Sequence, residues 1–126
     1  MKKNDFTILI ADDDEDIRLL YQIELIEEGY NVFLAKNGKE VLEIIQKSLP
    51  DLVILDINMP VMNGLEALGR IVSSDKKIPV ILNTAYSSYK GSFLSWAAEK
   101  YVIKSSDLKE LKDAIKKIFD KKREKE

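Results

Sequence analysis

The chain has 126 residues, enough for one domain and little more. Hydrophobic residues make up 45% of it and charged residues 33%, with 20 basic side chains against 22 acidic; a formal charge of -2 gives no general pull toward nucleic acid or an anionic membrane. Cysteine and histidine are both absent, which excludes disulfides, zinc-thiolate and imidazole metal sites, thiol catalysis and a Ser-His-Asp triad.

Short apolar runs alternate with longer amphipathic segments. Phe6 to Ile10 reads as the first strand. Asp12 to Glu28 follows as a helix, with Leu19, Leu20, Ile23 and Ile26 at helical spacing and Gly29 where a helix end favours positive φ. Val32 to Ala35 is the second run, and Asn37-Gly38 marks a turn. Lys39 to Ser48 repeats apolar residues at Leu42, Ile45 and Leu49. Leu52 to Leu55 is the third run, Gly64 to Ser73 a short helix, and Val80 to Leu82 the fourth run. Ser87 to Ala98 reads as a weak helix interrupted by Gly91. Tyr101 to Ile103 is the fifth run. Ser106 or Asp107 can cap a last helix whose stripe is Leu108, Leu111, Ile115, Ile118 and Phe119. The tail from Lys121 is a mixed-charge helix end.

Strands without polar alternation, separated by helical segments, imply a parallel sheet covered on both faces. The expected fold is α/β: a doubly wound five-stranded parallel sheet with five helices, for which the flavodoxin-like order 2-1-3-4-5 is one common arrangement. No internal repeat or linker divides it, so one domain is expected over residues 1–126, ordered from about 5 to about 120. No apolar run nears the roughly 20 residues that span a bilayer. Too little apolar sequence follows Met1-Lys2-Lys3-Asn4-Asp5 for a signal peptide, so no membrane insertion and a cytoplasmic location are expected.

In open α/β sheets, ligands bind beyond the carboxyl ends of the strands. Past the first run stand Asp12, Asp13 and Asp14; past the third, Asp56; past the fourth, Asn83 and then Thr84; past the fifth, Lys104. In the order 2-1-3-4-5 these tips are neighbours, and an acidic cluster faces a hydroxyl and an ammonium. Carboxylates after a strand also serve simply as helix N-caps. That reading accounts poorly for Asp56, which does not run straight into a helix, and for Thr84 and Lys104 at the same end. Two carboxylates about 4 Å apart repel by roughly 4 kcal/mol at an effective dielectric near 20. An all-oxygen site of that kind suits Mg²⁺, with Mn²⁺ as a substitute. A carboxylate beside it is a reasonable nucleophile toward phosphorus, helped by charge from Lys104 and a hydrogen bond from Thr84.

Four motifs carry a resemblance that covers essentially the whole chain: Ile8-Leu9-Ile10-Ala11-Asp12-Asp13-Asp14, Leu55-Asp56-Ile57-Asn58-Met59-Pro60-Val61-Met62-Asn63-Gly64, Asn83-Thr84-Ala85 and Tyr101-Val102-Ile103-Lys104. Each falls at a strand end, in order. The chain resembles the response-regulator receiver domains of two-component signalling, in their stand-alone, chemotaxis-regulator-like form. The resemblance implies a phosphorylation switch that takes a phosphoryl group from a histidine kinase or phosphotransfer protein onto Asp56. It implies metal binding by Asp13, by Asp12 through water or a secondary contact, by Asp56, and by the main-chain carbonyl of Asn58. Thr84 and Lys104 are implied to contact phosphoryl oxygens, and Tyr101 to change rotamer with phosphorylation; on residues alone Tyr101 is an ordinary edge-strand aromatic. The implied output face is the fourth helix, fifth strand and fifth helix, addressed to a downstream protein target and not to nucleic acid directly. No separate substrate turnover is implied, so the protein is not expected to be an enzyme. No output domain is expected after the fifth helix, so signalling runs through a bound protein or onward phosphotransfer.

Two departures stand out. Ser105 follows Lys104 where the family usually has proline in a cis peptide, which leaves that bond open between cis and trans. The span from Thr84 to Tyr101 is about two residues short of the family pattern. Within it Trp96 and Phe93 read as packing residues. Tyr86, two after Thr84, is expected to shield a phosphorylated site from attacking water. Three alternatives compete. An aspartyl-nucleophile phosphatase would need an Asp-x-Asp-x-Thr/Val pattern after the first strand, where Asp16 stands in the last place. A flavodoxin-like cofactor binder would need a Ser, Thr and Gly-rich loop there. A degenerate receiver, acting only as an interaction module, would not keep Asp12, Asp13, Asp56, Thr84 and Lys104 together.

Overall fold

Leu52–Leu55 is apolar and buried at every position, as a strand covered on both faces must be. It is β3, at the centre of a five-stranded parallel sheet with β1 Thr7–Ala11, β2 Asn31–Ala35, β4 Val80–Thr84 and β5 Lys100–Ile103. The order is β2-β1-β3-β4-β5, as expected. The computed structural model describes residues 6–124 apart from 75, 87, 92 and 93. Its α-helices are α1 Glu15–Glu27, α2 Gly38–Lys47, α3 Gly64–Ser73 and α4 Lys109–Glu124.

Side chains alternate across the sheet and make two cores. Leu9, Val53, Leu55, Val80 and Leu82 pack toward α2 and α3 with Val41, Ile45, Leu68 and Ile71. Ile8, Ile10, Ile54 and Ile81 pack toward α1 and α4 with Tyr21, Leu25, Leu111, Ile115 and Phe119. Phe119 also stacks on Phe6, with ring centroids 4.1 Å apart. Gly29 closes α1 at φ 98°, the left-handed conformation a glycine adopts without strain. Asp107 is the residue that caps the last helix region, accepting from the Lys109 N–H at 2.9 Å.

One expectation needs correction, and the structure settles which helix faces are covered. Five helices were expected; among the described residues there are four α-helices, and the weak fourth segment is two 3-10 turns, Ser88–Gly91 and Leu94–Ala97. Gly91 disfavours a continuous helix by about 1 kcal/mol relative to alanine, and a short segment has little to offset that. The helical spacing of Leu19, Leu20, Ile23 and Ile26 is real, but these side chains face solvent, each between 45% and 52% exposed. The face α1 turns to the sheet is Ile17, Tyr21 and Leu25. Periodicity identifies a helix with two apolar faces but does not say which one is covered. Similarly, Leu49 is exposed while Val41 and Ile45 carry the contact of α2. The packing expected of Trp96 and Phe93 falls on side chains outside the described ones.

The loop between β3 and α3 is held tightly. The Gly64 N–H donates to the Ile57 carbonyl at 2.8 Å, and the Gly38 N–H donates to the Met62 carbonyl at 2.9 Å. A Cβ on Gly64 would lie 2.0 Å from the Asp56 carbonyl oxygen, so the start of α3 approaches the end of β3 more closely than any side chain permits. Gly64→Ala should therefore displace the Asp56 main chain and lower stability by about 1–3 kcal/mol, measurable by urea unfolding. An unchanged midpoint would show that the approach is not a constraint.

Candidate functional site

The carboxyl ends of β1, β3, β4 and β5 converge on one pocket of about 240 Å³. Asp12, Asp13, Asp56, Asn58, Tyr86, Thr84 and Lys104 all line it. The main chain sets these positions: the Asp12 N–H donates to the Ala35 carbonyl, the Asp56 N–H to the Ala11 carbonyl and the Lys104 N–H to the Thr84 carbonyl. Side chains four strands apart in sequence thus meet because the sheet aligns their tips. A larger hollow of about 640 Å³ lies beside α4, but the donors that converge on one point are in the smaller pocket.

The four acidic residues divide by role. Asp14 is the helix cap, accepting from the Asp16 and Ile17 N–H groups at 2.9 and 3.3 Å. Asp12 is 2% exposed; its Oδ1 accepts from the Asp14 N–H, and its Oδ2 lies 2.6 Å from Lys104 Nζ. Asp56 is 5% exposed; its Oδ1 accepts from the Ile57 N–H at 2.8 Å, and its Oδ2 accepts from Lys104 Nζ at 3.1 Å. Asp13 is exposed, at the mouth. Carboxylate oxygens of Asp12, Asp13 and Asp56 all lie within 4.8 Å of one another. Three carboxylates against one ammonium leave negative charge over, and the donors are all oxygen, so the cluster fits Mg²⁺.

Thr84 is fully buried, and its Oγ1 has no hydrogen-bond partner among the described residues. A buried hydroxyl without a partner is costly unless something else fills the role. Asn58 is exposed at the rim, where its Oδ1 accepts from the Tyr89 hydroxyl at 3.4 Å. Tyr101 is half-buried, and its hydroxyl donates to the Tyr86 carbonyl at 2.6 Å, with Lys90 Nζ 5.7 Å from its ring. That ties Tyr101 to the main chain two residues past Thr84. No cis peptide occurs among the described residues, so the bond between Lys104 and Ser105 is trans. Two residues near the site went unread in the sequence. Arg18 Nη1 donates to the Asp12 carbonyl at 2.7 Å, and Tyr21 reaches Asn83 beneath the pocket. For Tyr21 the available signal was a lone polar group in the apolar stripe of Ile17 and Leu25.

Charge in the pocket is finely opposed. Burial, the largest influence, pushes the Asp56 carboxyl above its usual value, with Asp12 adding to the rise while Lys104 and the Ile57 N–H oppose it. Burial alone would lower the Lys104 ammonium, but its contacts with Asp12 and Asp56 outweigh that and raise it.

The chain matches the family described as the response regulator receiver domain over residues 8–116. It is 40% identical over 114 residues to sporulation initiation phosphotransferase F of Bacillus subtilis, covering 89% of this chain and 92% of that one. It is 47% identical to the Thermotoga maritima response regulator TrrA solved with Mg²⁺ and BeF, at a TM-score of 0.86 over 94% of this chain and 99% of that one. The same regulator, solved in complex with the histidine kinase ThkA, superposes at a TM-score of 0.84, again at 47% identity over 94% and 98% of the two chains.

The raised Asp56 carboxyl has a consequence for stability. Ionised Asp56 is tolerated less well in the fold than in the unfolded chain, so the stability linked to it is present at low pH and is lost as pH rises through the folded-state value. Asp56→Asn should raise the thermal midpoint at neutral pH by a few degrees, and the gain should vanish below the usual carboxylate range. Melts across that pH series check it; a gain independent of pH would assign the effect to something other than charge.

Proposed function

The chain belongs to the response-regulator receiver family, and on that premise we propose that Asp56 is the phosphoacceptor of a two-component switch. One observation supports the reading most: a buried carboxylate, an ammonium and a buried hydroxyl without a partner among the described residues share one pocket with two further carboxylates. In this reading an Asp56 carboxylate oxygen bonds to phosphorus as the bond from phosphorus to a partner's histidine nitrogen breaks, and the electron pair returns to that ring. Lys104 Nζ, already against Asp56, offsets charge on the arriving oxygens. Thr84 Oγ1 donates the hydrogen bond that it makes to no group among the described residues. Asp12, Asp13, Asp56 and the main-chain carbonyl of Asn58 would hold Mg²⁺, or Mn²⁺ in its place. That ion would supply charge neutralisation in phosphoryl transfer.

A phosphoryl group adds nearly two negative charges and three strong acceptors. In this proposal Thr84 shifts toward it. Tyr101 then exchanges its bond to the Tyr86 carbonyl for the space vacated. The face formed by the 3-10 turns, β5 and α4 carries that change to a downstream protein target. Tyr86, lining the pocket with its side chain exposed, shields the acyl phosphate from water. The protein is a signalling domain. We read it as one cytoplasmic receiver over residues 1–126 that assists its own phosphorylation without turning over a separate substrate. Among the described residues no helix is long and apolar enough to cross a membrane.

The donor side has a surface to dock on. Leu19, Leu20, Ile23 and Ile26 make an exposed apolar stripe on α1, the helix that starts at the pocket through the Asp14 cap. A similar regulator forms a complex with a histidine kinase. The phosphotransfer domain of such a kinase is the partner proposed for this stripe.

Two tests follow. Incubation with Mg²⁺ and acetyl phosphate should add the mass of one phosphoryl group, and Asp56→Asn should abolish it; a phosphorylated Asp56→Asn chain would reject the assignment. Ile23→Glu should slow transfer from a cognate kinase by about tenfold or more while acetyl phosphate still reacts, because a charge is placed in a desolvated contact. Unchanged kinase transfer would remove α1 from the docking surface.

A further inference from the structure

β4 is apolar through Val80, Ile81 and Leu82 and then turns polar one residue early, at Asn83. This side chain is only 2% exposed, so its amide must find partners inside the protein. Its Nδ2 donates to the Val102 carbonyl of β5 at 3.1 Å. A carbonyl can only accept, so the amide's orientation is settled and Oδ1 is left to accept. The donor it meets is the Tyr21 hydroxyl of α1, at 2.7 Å, on a side chain 4% exposed. The result is a buried chain of hydrogen bonds from α1 through β4 to β5.

Its position is what gives it meaning. Asn83 immediately precedes Thr84, and Val102 lies two residues before Lys104. The Lys104 N–H in turn donates to the Thr84 carbonyl at 2.8 Å. The two residues that would meet phosphoryl oxygens therefore stand on strand ends joined directly below them by one amide. Two leucines could fill the same space, but apolar contact is non-directional and tolerates sliding. A hydrogen-bonded pair fixes distance and angle, and either member alone would be left as a costly buried orphan. Burial, opposed by Lys104 and reinforced by Asp12 and Asp56, pushes the Tyr21 hydroxyl up to about 12, so it remains a protonated donor at any working pH.

We propose that Tyr21 and Asn83 are positioning residues that hold the Thr84 hydroxyl and the Lys104 ammonium in register for phosphoryl transfer to Asp56. The inference rests on the reading of Asp56 as acceptor. Tyr21 also sits on α1, whose outer face carries the apolar stripe. The same pair therefore links the docking helix to the strand that ends in Thr84.

The test uses the full chain with Mg²⁺ and acetyl phosphate, following initial phosphorylation by intact mass, with a thermal melt of each variant. Tyr21→Phe removes one hydroxyl and should slow phosphorylation by about three- to tenfold at temperatures where the protein is fully folded, since small misplacements of reacting groups are costly. In a Thr84→Ala background the same change should cost less than in the parent, because one of the two groups it positions is gone. The double variant Tyr21→Leu with Asn83→Leu should recover the stability lost in either single leucine variant but not the rate. A parental rate in Tyr21→Phe, equal losses in both backgrounds, or a rate that recovers with stability would overturn the proposal. Failure of the unaltered chain to gain a phosphoryl group would instead overturn the reading of Asp56.

Discussion

The Lys104 ammonium, 2.6 Å from Asp12 and 3.1 Å from Asp56, is the contact on which the site depends. Both carboxylates are nearly shut off from water, and a buried charge without a partner is among the most costly features a fold can carry. Removing the lysine would leave like charges facing each other at short range in a medium that screens them poorly. Even with it, burial wins at Asp56 and keeps that carboxyl above its usual value. The protein thus holds a charge excess that an arriving cation relieves, and an acidic oxygen already directed at the same space. Stability is given up locally at the place where chemistry is expected.

The rest of the fold supports that arrangement. Parallel strands bring tips that are distant in sequence to one edge, and the two cores lock the sheet from both faces. Behind Asp56, the close approach of Gly64 and the tie between Gly38 and Met62 fix the connecting loop. In that loop Val61 takes φ 68°, a left-handed conformation that a β-branched residue adopts only when its surroundings impose it. Beneath Thr84, Asn83 binds both the helix and the neighbouring strand. The pocket is built on strand ends and helix starts, which is where a sheet can hold side chains most rigidly.

α1 has two jobs on two faces. Ile17, Tyr21 and Leu25 join it to the sheet, while Leu19, Leu20, Ile23 and Ile26 remain in contact with water. An isolated exposed leucine means little, but four on one helix beside an acidic pocket form a surface. The opposite side of the molecule departs from the expected pattern. There, two 3-10 turns stand in place of a regular helix before β5, and Tyr101 is tied to the loop that follows Thr84. The face proposed for the phosphodonor is therefore a regular helix, and the face proposed to report phosphorylation is irregular.

Much of this was legible in the residues alone. The fully apolar run at Leu52–Leu55 dictates a strand buried on both faces, and the alternation of such runs with amphipathic segments dictates a parallel sheet. Asp12, Asp13, Asp56, Thr84 and Lys104 could be read together because each follows an apolar run, and strand ends are where such a sheet gathers its chemistry. Other features belong to the tertiary structure. A helical period does not say which of two apolar faces of α1 is covered. A local sequence does not say that Asp14 would cap while Asp12 turned inward to Lys104. Nor does it say that Tyr21 and Asn83, 62 residues apart, would satisfy each other inside the protein. Propensity and periodicity act between near neighbours along the chain, whereas charge compensation and buried hydrogen bonds are settled by what the folded chain brings within about 3 Å.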